Sequence, residues 1–484
     1  MFSRPLDVAS GGLFYAALTL LCAVLYLPGL AQLPPVDRDE ARFMQATKQM
    51  IETGDYAHIR FQADPRDKKP IGAYWAQAAS VNVMGQTLTE PWPYRIPSVL
   101  GVWLAVMVTA WAVGGAVSGT AGFAAGAILA TTLLTTVEAH LAKADALLLA
   151  MSAIVFAGLL RAATAQTVKP VLRYAFWIAL GVGVLIKGPI LPVVLVLALT
   201  ALFIADKNLP LNALQPVVGV PLALLVMLAW PIVTGLDEAI RAAQTAFLQD
   251  LWPKLTGGQE SHGAWPGAHL LMSLGTLWPW SLALPLAALA AWRERASPIV
   301  RVCTAWIVPF WLVLELIPTK LPHYTLPLFP AIAVLIASAL SQWRPARVAM
   351  TGLAGLGVAL GLLLAAVPLF NLPRWDDLNL STRLAETLAR HAPGRPAILV
   401  GYGEPSAVFL LGTDTLTTNP EHAASLLAAS PGAITAVEES ALPALAEFMA
   451  GVGKNIVRLD AVSGYNYSRG RPVTLVVVTA AAPP

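Results

Sequence analysis

The sequence predicts an all-α polytopic membrane protein, with about eleven transmembrane helices over residues 1–370 and a small α/β domain over residues 371–484 outside the bilayer. Three observations carry that prediction. First, 57% of the 484 residues are hydrophobic and only 12% charged, with a mean hydropathy of +0.65, which excludes an ordinary soluble enzyme. Second, apolar segments long enough to cross a bilayer recur as far as residue 370. Third, beyond that point the pattern changes to short apolar runs alternating with amphipathic ones.

The first apolar stretch, Gly11–Leu33, follows Arg4 and resembles a secretory signal, but it is longer than a signal's apolar region and many spans come after it. It reads as the first span. Further spans are expected near 95–116, 118–136, 145–164, 171–187, 188–205, 213–234, 268–291, 298–317, 322–342 and 346–370. The run 171–205 is divided in two because "IKGPI" interrupts it. Gly115–Gly119 and Gly122–Gly126 have the spacing of closely packed helices, a weak signal in a chain with 36 glycines. Cys22 and Cys303 each sit in an apolar run, as core fillers and not as a disulfide or thiolate metal site.

Loop charges set the orientation. One set of loop ends carries Arg161, Lys169, Arg173, Lys207, Arg293, Arg295, Arg301, Arg344 and Arg347, and is expected in the cytoplasm. The opposite set mixes acids, bases, histidines and aromatics: "PPVDRDEARF" (34–43), "EAHLAKAD" (138–145), Lys187, the loop 249–267 and "PTKLPHY" (318–324). That mixture marks a site, expected on the exoplasmic side of the membrane. The net charge of +3 is spread over single basic residues, so nucleic acid is excluded as a partner. In the last segment "AILVGYG", "GAITAVE" and "RPVTLVVVT" read as strands, and "LSTRLAETLARHA" and "ESALPALAEFMAGV" as helices.

The loop 33–94 is the longest between spans. Asp37 and Glu40 have capping-box spacing, and Phe43, Ala46, Thr47 and Met50 share a face until Gly54, predicting a short amphipathic helix on the bilayer surface. Asp39 and Arg42, at i and i+3, can present an acid and a guanidinium to one ligand. Pro70 suits the first turn of a second helix, which puts Lys68 and Lys69 at its positive end. Two lysines there await an anion, a phosphate above all, unless they snorkel to lipid headgroups.

The run D39-E40-A-R42-F, then Met50, Gly54-Asp55 and K69-P70-I-G-A-Y74-W75, resembles the bacterial lipid-linked-sugar glycosyltransferases of the GT-C superfamily. These are related to the protein O-mannosyltransferases and the aminoarabinose transferases. "AKAD" ending at Asp145, "IKGP" at 186–189, "GGQESHGAWPG" and "TKLPHYTLPLFPAIAVL" lie at the places the resemblance requires. It implies an inverting transfer of a sugar from a polyprenyl phosphate to a lipid, glycan or protein acceptor. Asp39, Glu40 and Asp145 would then be catalytic, and Arg42, Lys69, Lys187 and Lys320 would hold the donor phosphate. Lys68, Tyr74, His262, His323 and Tyr324 would line the substrate, Tyr324 doubling as an interfacial aromatic. Acid–base help and fixed cations at a leaving phosphate are the chemistry that such a transfer needs.

One departure is visible. The aminoarabinose transferases carry an acid before the Lys-Pro pair, where this chain has Lys68, so neither aminoarabinose nor lipid A is carried over as substrate. Glu138, His140 and Lys143 are further site candidates beside Asp145, and Asp250, Lys254 and Glu260 belong with His262 in a loop that could act as a flap. His58, His140, His262 and His323 show no ligand spacing, so a divalent metal is an open alternative and no other cofactor is expected. A transporter or lipid flippase is the alternative function, but its polar groups belong near the bilayer midplane, not at span ends. A non-catalytic lipid-binding protein of similar fold is a third.

Overall fold

The computed structural model describes residues 8–66, 68–85, 87–164, 168–206, 210–257, 263–342, 346–370, 375–430 and 432–481. By contacts the chain divides into two compact units, Met1–Leu30, Arg66–Ser80 and Arg95–Ala365 on one hand, and Ala31–Pro65, Val81–Tyr94 and Ala366–Pro484 on the other. Most of the loop 33–94 therefore groups with the C-terminal residues, whereas the sequence alone assigned it to the membrane part.

Seven helices among the described residues are long and apolar enough to cross a membrane: Trp92–Ala116, Asp145–Thr164, Pro170–Lys187, Pro216–Thr234, Pro298–Leu316, Pro322–Ser341 and Val348–Leu369. Two bent pairs, Gly119–Ala130 with Leu133–Ala139 (64°) and Ala268–Thr276 with Trp280–Arg293 (117°), raise the number to nine. Gly11–Tyr26 and Ile190–Ala205 are apolar but shorter. Each expected segment meets one of these helices or pairs, and the protein is a multi-pass membrane protein. The break within 171–205 occurs where expected, because Gly188 takes φ 67 and its N–H donates to Val184, ending the first helix before Pro189.

Burial sorts the spans. Asp145–Thr164 and Pro322–Ser341 have 67% and 78% of their apolar windows buried, against 11% for Pro216–Thr234 and 17% for Val348–Leu369. The first two are central, and the last two leave their apolar faces to lipid. Glycine permits the closest approach: a Cβ on Gly122 would stand 2.4 Å from the Ala110 carbonyl oxygen, so the small-residue spacing does mark a tight crossing. Cys22 and Cys303 are buried and unbridged, as fillers should be.

In the second unit, β1 (Arg60–Phe61) and β2 (Asp64–Pro65) form a small antiparallel hairpin. The C-terminal residues form a five-stranded sheet from β3 (Ile398–Val400), β4 (Leu416–Thr418), β5 (Ile434–Glu438), β6 (Ile456–Asn466) and β7 (Arg471–Ala480), in the order β4-β3-β5-β7-β6. β3 pairs in parallel with β4 and β5, and β7 runs antiparallel to β5 and β6. Alternation divides the core between two faces. Leu399, Leu475 and Val477 pack with Leu380, Leu384 and Leu388 of the helix Leu380–His391. Val400, Val437, Val476 and Val478 pack with Leu427, Leu445 and Met449. The three expected strands and two expected helices are present. β4, β6 and the helices Pro405–Leu411 and Pro420–Ala429 were not expected.

The helix Asp39–Thr53 ends at Gly54 in the left-handed conformation, as the sequence indicates. It does not lie as a half-exposed helix: every residue from Glu40 to Met50 except Arg42 is buried. Its polar residues are buried with partners. Gln45 Nε2 donates to Thr413 Oγ1 (2.8 Å), Lys48 Nζ to the Phe409 carbonyl (2.9 Å), and Gln49 exchanges hydrogen bonds with the backbone of Gln62 (2.6 and 2.9 Å). These bonds offset the cost of removing polar groups from water.

Candidate active site

The candidate site begins where the helix Asp145–Thr164 starts. Leu141–Ala144 interrupt the helical path, and the turn is held by Gln77 Nε2 on the Ala142 carbonyl (3.0 Å) and Ser98 Oγ on that of Leu141 (2.6 Å). Asp145, the first helical residue, is 6% exposed. Its Oδ1 pairs with Lys187 Nζ, at the last residue of Pro170–Lys187, and lies 3.9 Å from His323 Nε2. Lys143 Nζ lies 2.9 Å from Glu138 Oε1 and 3.9 Å from Asp145 Oδ2. Lys187 Nζ stands 5.7 Å from the Tyr324 ring centroid, and the His323 ring meets Tyr324 edge-on. Two carboxylates, two ammonium groups and an imidazole thus share a buried pocket of charge. Each ion costs several kcal/mol to desolvate, roughly, so the cluster persists only because its members pair.

Glu138 Oε2 has no hydrogen-bond partner among the described residues. Oxygen or nitrogen atoms of Glu138, Asp145 and His323 lie within 4.8 Å of one another, a donor set compatible with one divalent cation. Lys143 and Lys187 already neutralise those carboxylates, so a cation would have to displace them. His140 is a correction to the sequence reading: its two ring nitrogens face the carbonyls of Thr136 (2.8 Å) and Pro28 (3.3 Å), which makes it a strut between chain segments.

The Lys-Pro motif belongs to the same unit. A Cβ on Gly72 would sit 2.8 Å from the Leu185 carbonyl oxygen, so the start of the helix Gly72–Met84 rests on backbone two residues before Lys187. Lys69, three residues ahead of Gly72, is half-buried, and Lys68 is exposed. The helix begins at Gly72, not at Pro70, so both lysines precede its first turn. Tyr74 is fully buried within that turn.

Lys320 is a second correction. Its Nζ donates to the carbonyls of Leu314 (2.8 Å), Glu315 (2.9 Å) and Ile317 at the end of Pro298–Leu316. An ammonium has three protons, and all three are committed to a helix terminus, so none remains for a phosphate. Nearby, the Glu315 carboxylate accepts from the N–H groups of Gly267 (2.8 Å) and Leu270 (3.0 Å), capping the helix Ala268–Thr276. His262 and Glu260 lie outside the described residues, and so does the side chain of Asp250. Lys254 stands on the short helix Trp252–Thr256.

In the second unit, Asp39 is exposed as the first residue of its helix, and Arg42 is half-buried three residues on. Glu40, expected to be catalytic, is 1% exposed and its Oε2 accepts from Val36 N–H (2.8 Å), a structural role. Asp37 is not the cap. Its Oδ1 accepts from the Ser406 N–H (2.9 Å), its own N–H donates to Tyr467 Oη (2.6 Å), and burial pushes its carboxyl up to about 6 against the opposing hydrogen bonds from Ser406 and Tyr467. Arg38 follows with φ 68, a backbone conformation that costs a non-glycine residue on the order of 1–3 kcal/mol.

The profile of the dolichyl-phosphate-mannose-protein mannosyltransferase family matches residues 68–232. An undecaprenyl phosphate-α-4-amino-4-deoxy-L-arabinose arabinosyl transferase of Aeromonas salmonicida is 29% identical over 328 residues, 66% of this chain and 59% of the relative. One from Pseudomonas fluorescens is 25% identical over 345 residues, 70% of this chain and 60% of the relative. The chain thus spans about three-fifths of the length of these curated relatives. The crystal structure of ArnT from Cupriavidus metallidurans bound to undecaprenyl phosphate shares the fold, with a TM-score of 0.76, 17% identity, and coverage of 97% of this chain and 98% of the other. In sequence this chain is similar to these aminoarabinose transferases, and it shares the fold of ArnT.

Proposed function

We propose that the protein is an inverting glycosyltransferase that moves a sugar from a polyprenyl-phosphate donor to a lipid, glycan or protein acceptor on the periplasmic face of the inner membrane. The observation that carries this reading is the buried cluster of Asp145, Lys187, Lys143, His323 and Tyr324 at helix ends, with the Lys69-Pro70 segment anchored through Gly72 on the backbone leading to Lys187. The named relatives act on undecaprenyl phosphate carrying a sugar, which favours that carrier. The aminosugar is not carried over, because Lys68 replaces an acid of that family.

In the reaction, an acceptor oxygen attacks the anomeric carbon opposite the phosphate. The bond from that carbon to the phosphate oxygen breaks, its electrons stay on the phosphate, and the acceptor's proton passes to a carboxylate, assigned to Asp39. General-base help of this kind contributes roughly 10²–10⁴ in rate. The phosphate gains a negative charge as it leaves, and Lys187, Lys69 and Arg42 are assigned to its oxygens. Asp145 holds the Lys187 ammonium in place, and Tyr324 offers it an aromatic face.

Purified protein in proteoliposomes, supplied with undecaprenyl phosphate bearing a radiolabelled sugar and an envelope lipid extract as acceptor, tests the reading. Transfer by the wild type and its loss in Asp39→Asn, at equal membrane insertion, is the expected result. Full transfer by Asp39→Asn removes Asp39 from the mechanism, and solute uptake without sugar transfer favours a transporter. A divalent cation on Glu138, Asp145 and His323 is the second reading, on the strength of their clustered ligand atoms. Rates unchanged by EDTA remove it.

A further inference from the structure

The turn leading into Asp39 is tied down by residues from the far end of the chain. Tyr467 Oη accepts from the Asp37 N–H (2.6 Å), the Ser406 N–H donates to Asp37 Oδ1 (2.9 Å), and Arg38 Nη2 donates to the Ser468 carbonyl (2.6 Å). From the helix side, Glu40 Oε2 accepts from Val36 N–H (2.8 Å) and closes the turn. The C-terminal partners are themselves joined. Asn466 Nδ2 donates to Glu404 Oε1 (2.8 Å), fixing the turn that bears Tyr467 against the residue two positions before Ser406. Asn466 Oδ1 also accepts from Arg469 N–H (3.0 Å), so the segment carrying Tyr467 and Ser468 is braced on both sides. Arg38 holds φ 68 immediately before Asp39, a conformation that persists only where surrounding contacts over-determine it. Besides the local bond to Glu40, those contacts come from the turn between β6 and β7 and from the helix Pro405–Leu411, and the two apolar cores of the sheet do not include them.

We propose that the C-terminal α/β segment supplies positioning residues to the reaction: Tyr467, with the Ser406 amide and the Ser468 carbonyl, clamps Asp37–Arg38 and thereby fixes the pose in which Asp39 meets the acceptor. The clamp rests on the assignment of Asp39 given above. The anchors on Asp37 and Arg38 lie some 370 to 430 positions away along the chain, beyond the local bonds of the turn itself. A misplacement of about 1 Å at a reacting group can cost roughly 10²-fold in rate. Loss of one clamp bond should therefore lower turnover without touching donor affinity.

The test uses the full-length protein in the proteoliposome transfer assay. Tyr467→Phe keeps the ring and removes the hydroxyl; Arg38→Gly drops the Ser468 tie and relieves the backbone that enforces the pose. Each is expected to lower kcat about ten- to a hundred-fold, with an unchanged KM for the donor and an unchanged thermal midpoint. Wild-type kcat in Tyr467→Phe overturns the clamp, and so does a loss of kcat that only tracks a loss of folded protein. Asp39→Asn, run alongside, separates the two ideas: if it is active, the assignment of Asp39 fails and the clamp with it; if it is inactive while Tyr467→Phe is wild type, only the clamp fails.

Discussion

Replacing Lys187 by Met tests both what the charged cluster contributes to the fold and what it does in the reaction. Met keeps the length of the side chain and removes the ammonium, so Asp145 loses its closest partner. It retains Lys143 at 3.9 Å, an attraction of about 4 kcal/mol at an effective dielectric constant near 20. Lys143 is shared with Glu138 at 2.9 Å, so it cannot move fully to Asp145 without unpairing a second buried acid. Breaking a buried pair from one side costs about 3–5 kcal/mol, and the remaining lysine puts this case near the lower end, about 3 kcal/mol. The double variant Asp145→Asn with Lys187→Met leaves no unpaired charge and should recover most of that stability. Activity should not recover, because the donor phosphate has lost a cation worth about 10²–10³ in kcat. Thermal unfolding in detergent and single-turnover transfer from a labelled polyprenyl-phosphate sugar read the two quantities separately. Recovery of transfer in the double variant would refute the reasoning, since Lys187 would then serve only to neutralise Asp145.

Lys320→Ala should leave the donor KM unchanged while lowering the thermal midpoint, since it orphans three carbonyls at the end of Pro298–Leu316; each unpaired buried group costs roughly 1–3 kcal/mol. Gly72→Val forces a branched side chain onto the Leu185 carbonyl, 2.8 Å from its Cβ, and is expected to cost about 1–3 kcal/mol and to depress transfer by shifting the backbone before Lys187. Asp37 gives a pH signature outside the membrane. Burial first, and Glu404 in addition, raise its carboxyl to about 6, above the unfolded value of about 3.9. The native state then holds the proton more tightly, so this group's contribution to stability is complete below about pH 4 and is lost as pH rises through 6. Unfolding measured across that range should show the decline in the wild type and a flatter profile in Asp37→Asn.

Much of the architecture could be read from the chain because the bilayer imposes it. Spans must be apolar and long, their breaks need glycine or proline, and a buried central strand is apolar on both faces, so Ile434–Glu438 and Arg471–Ala480 announced themselves. β4 and β6 did not, since edge strands need not be apolar on both faces, and "IVRLDAVSGYN" reads as surface. At the site, the same limit separates Asp145 and Lys187 from Lys320. All three are charged residues at span ends, a pattern that signals function. Only the fold shows that the Lys320 protons are spent on a helix terminus and that Glu40 answers a backbone N–H. Lys143 was visible in "AHLAKAD", but its bridging of Glu138 and Asp145 required the turn geometry.

By itself, the amino-acid order determined that this chain enters a membrane, roughly where its apolar segments run and break, and which motifs carry charge at their ends. Those are local consequences of hydrophobic length, helix-breaking residues and residue type. The tertiary structure alone decided which of those charges face one another and which are consumed in holding backbone, and it made Asp37 an anchor point for Ser406 and Tyr467 in place of a helix cap. The reason is physical: periodicity and spacing reach only a few turns along a chain, whereas pairing in a low-dielectric interior depends on which distant segments the packing brings within 3 or 4 Å, roughly, of each other.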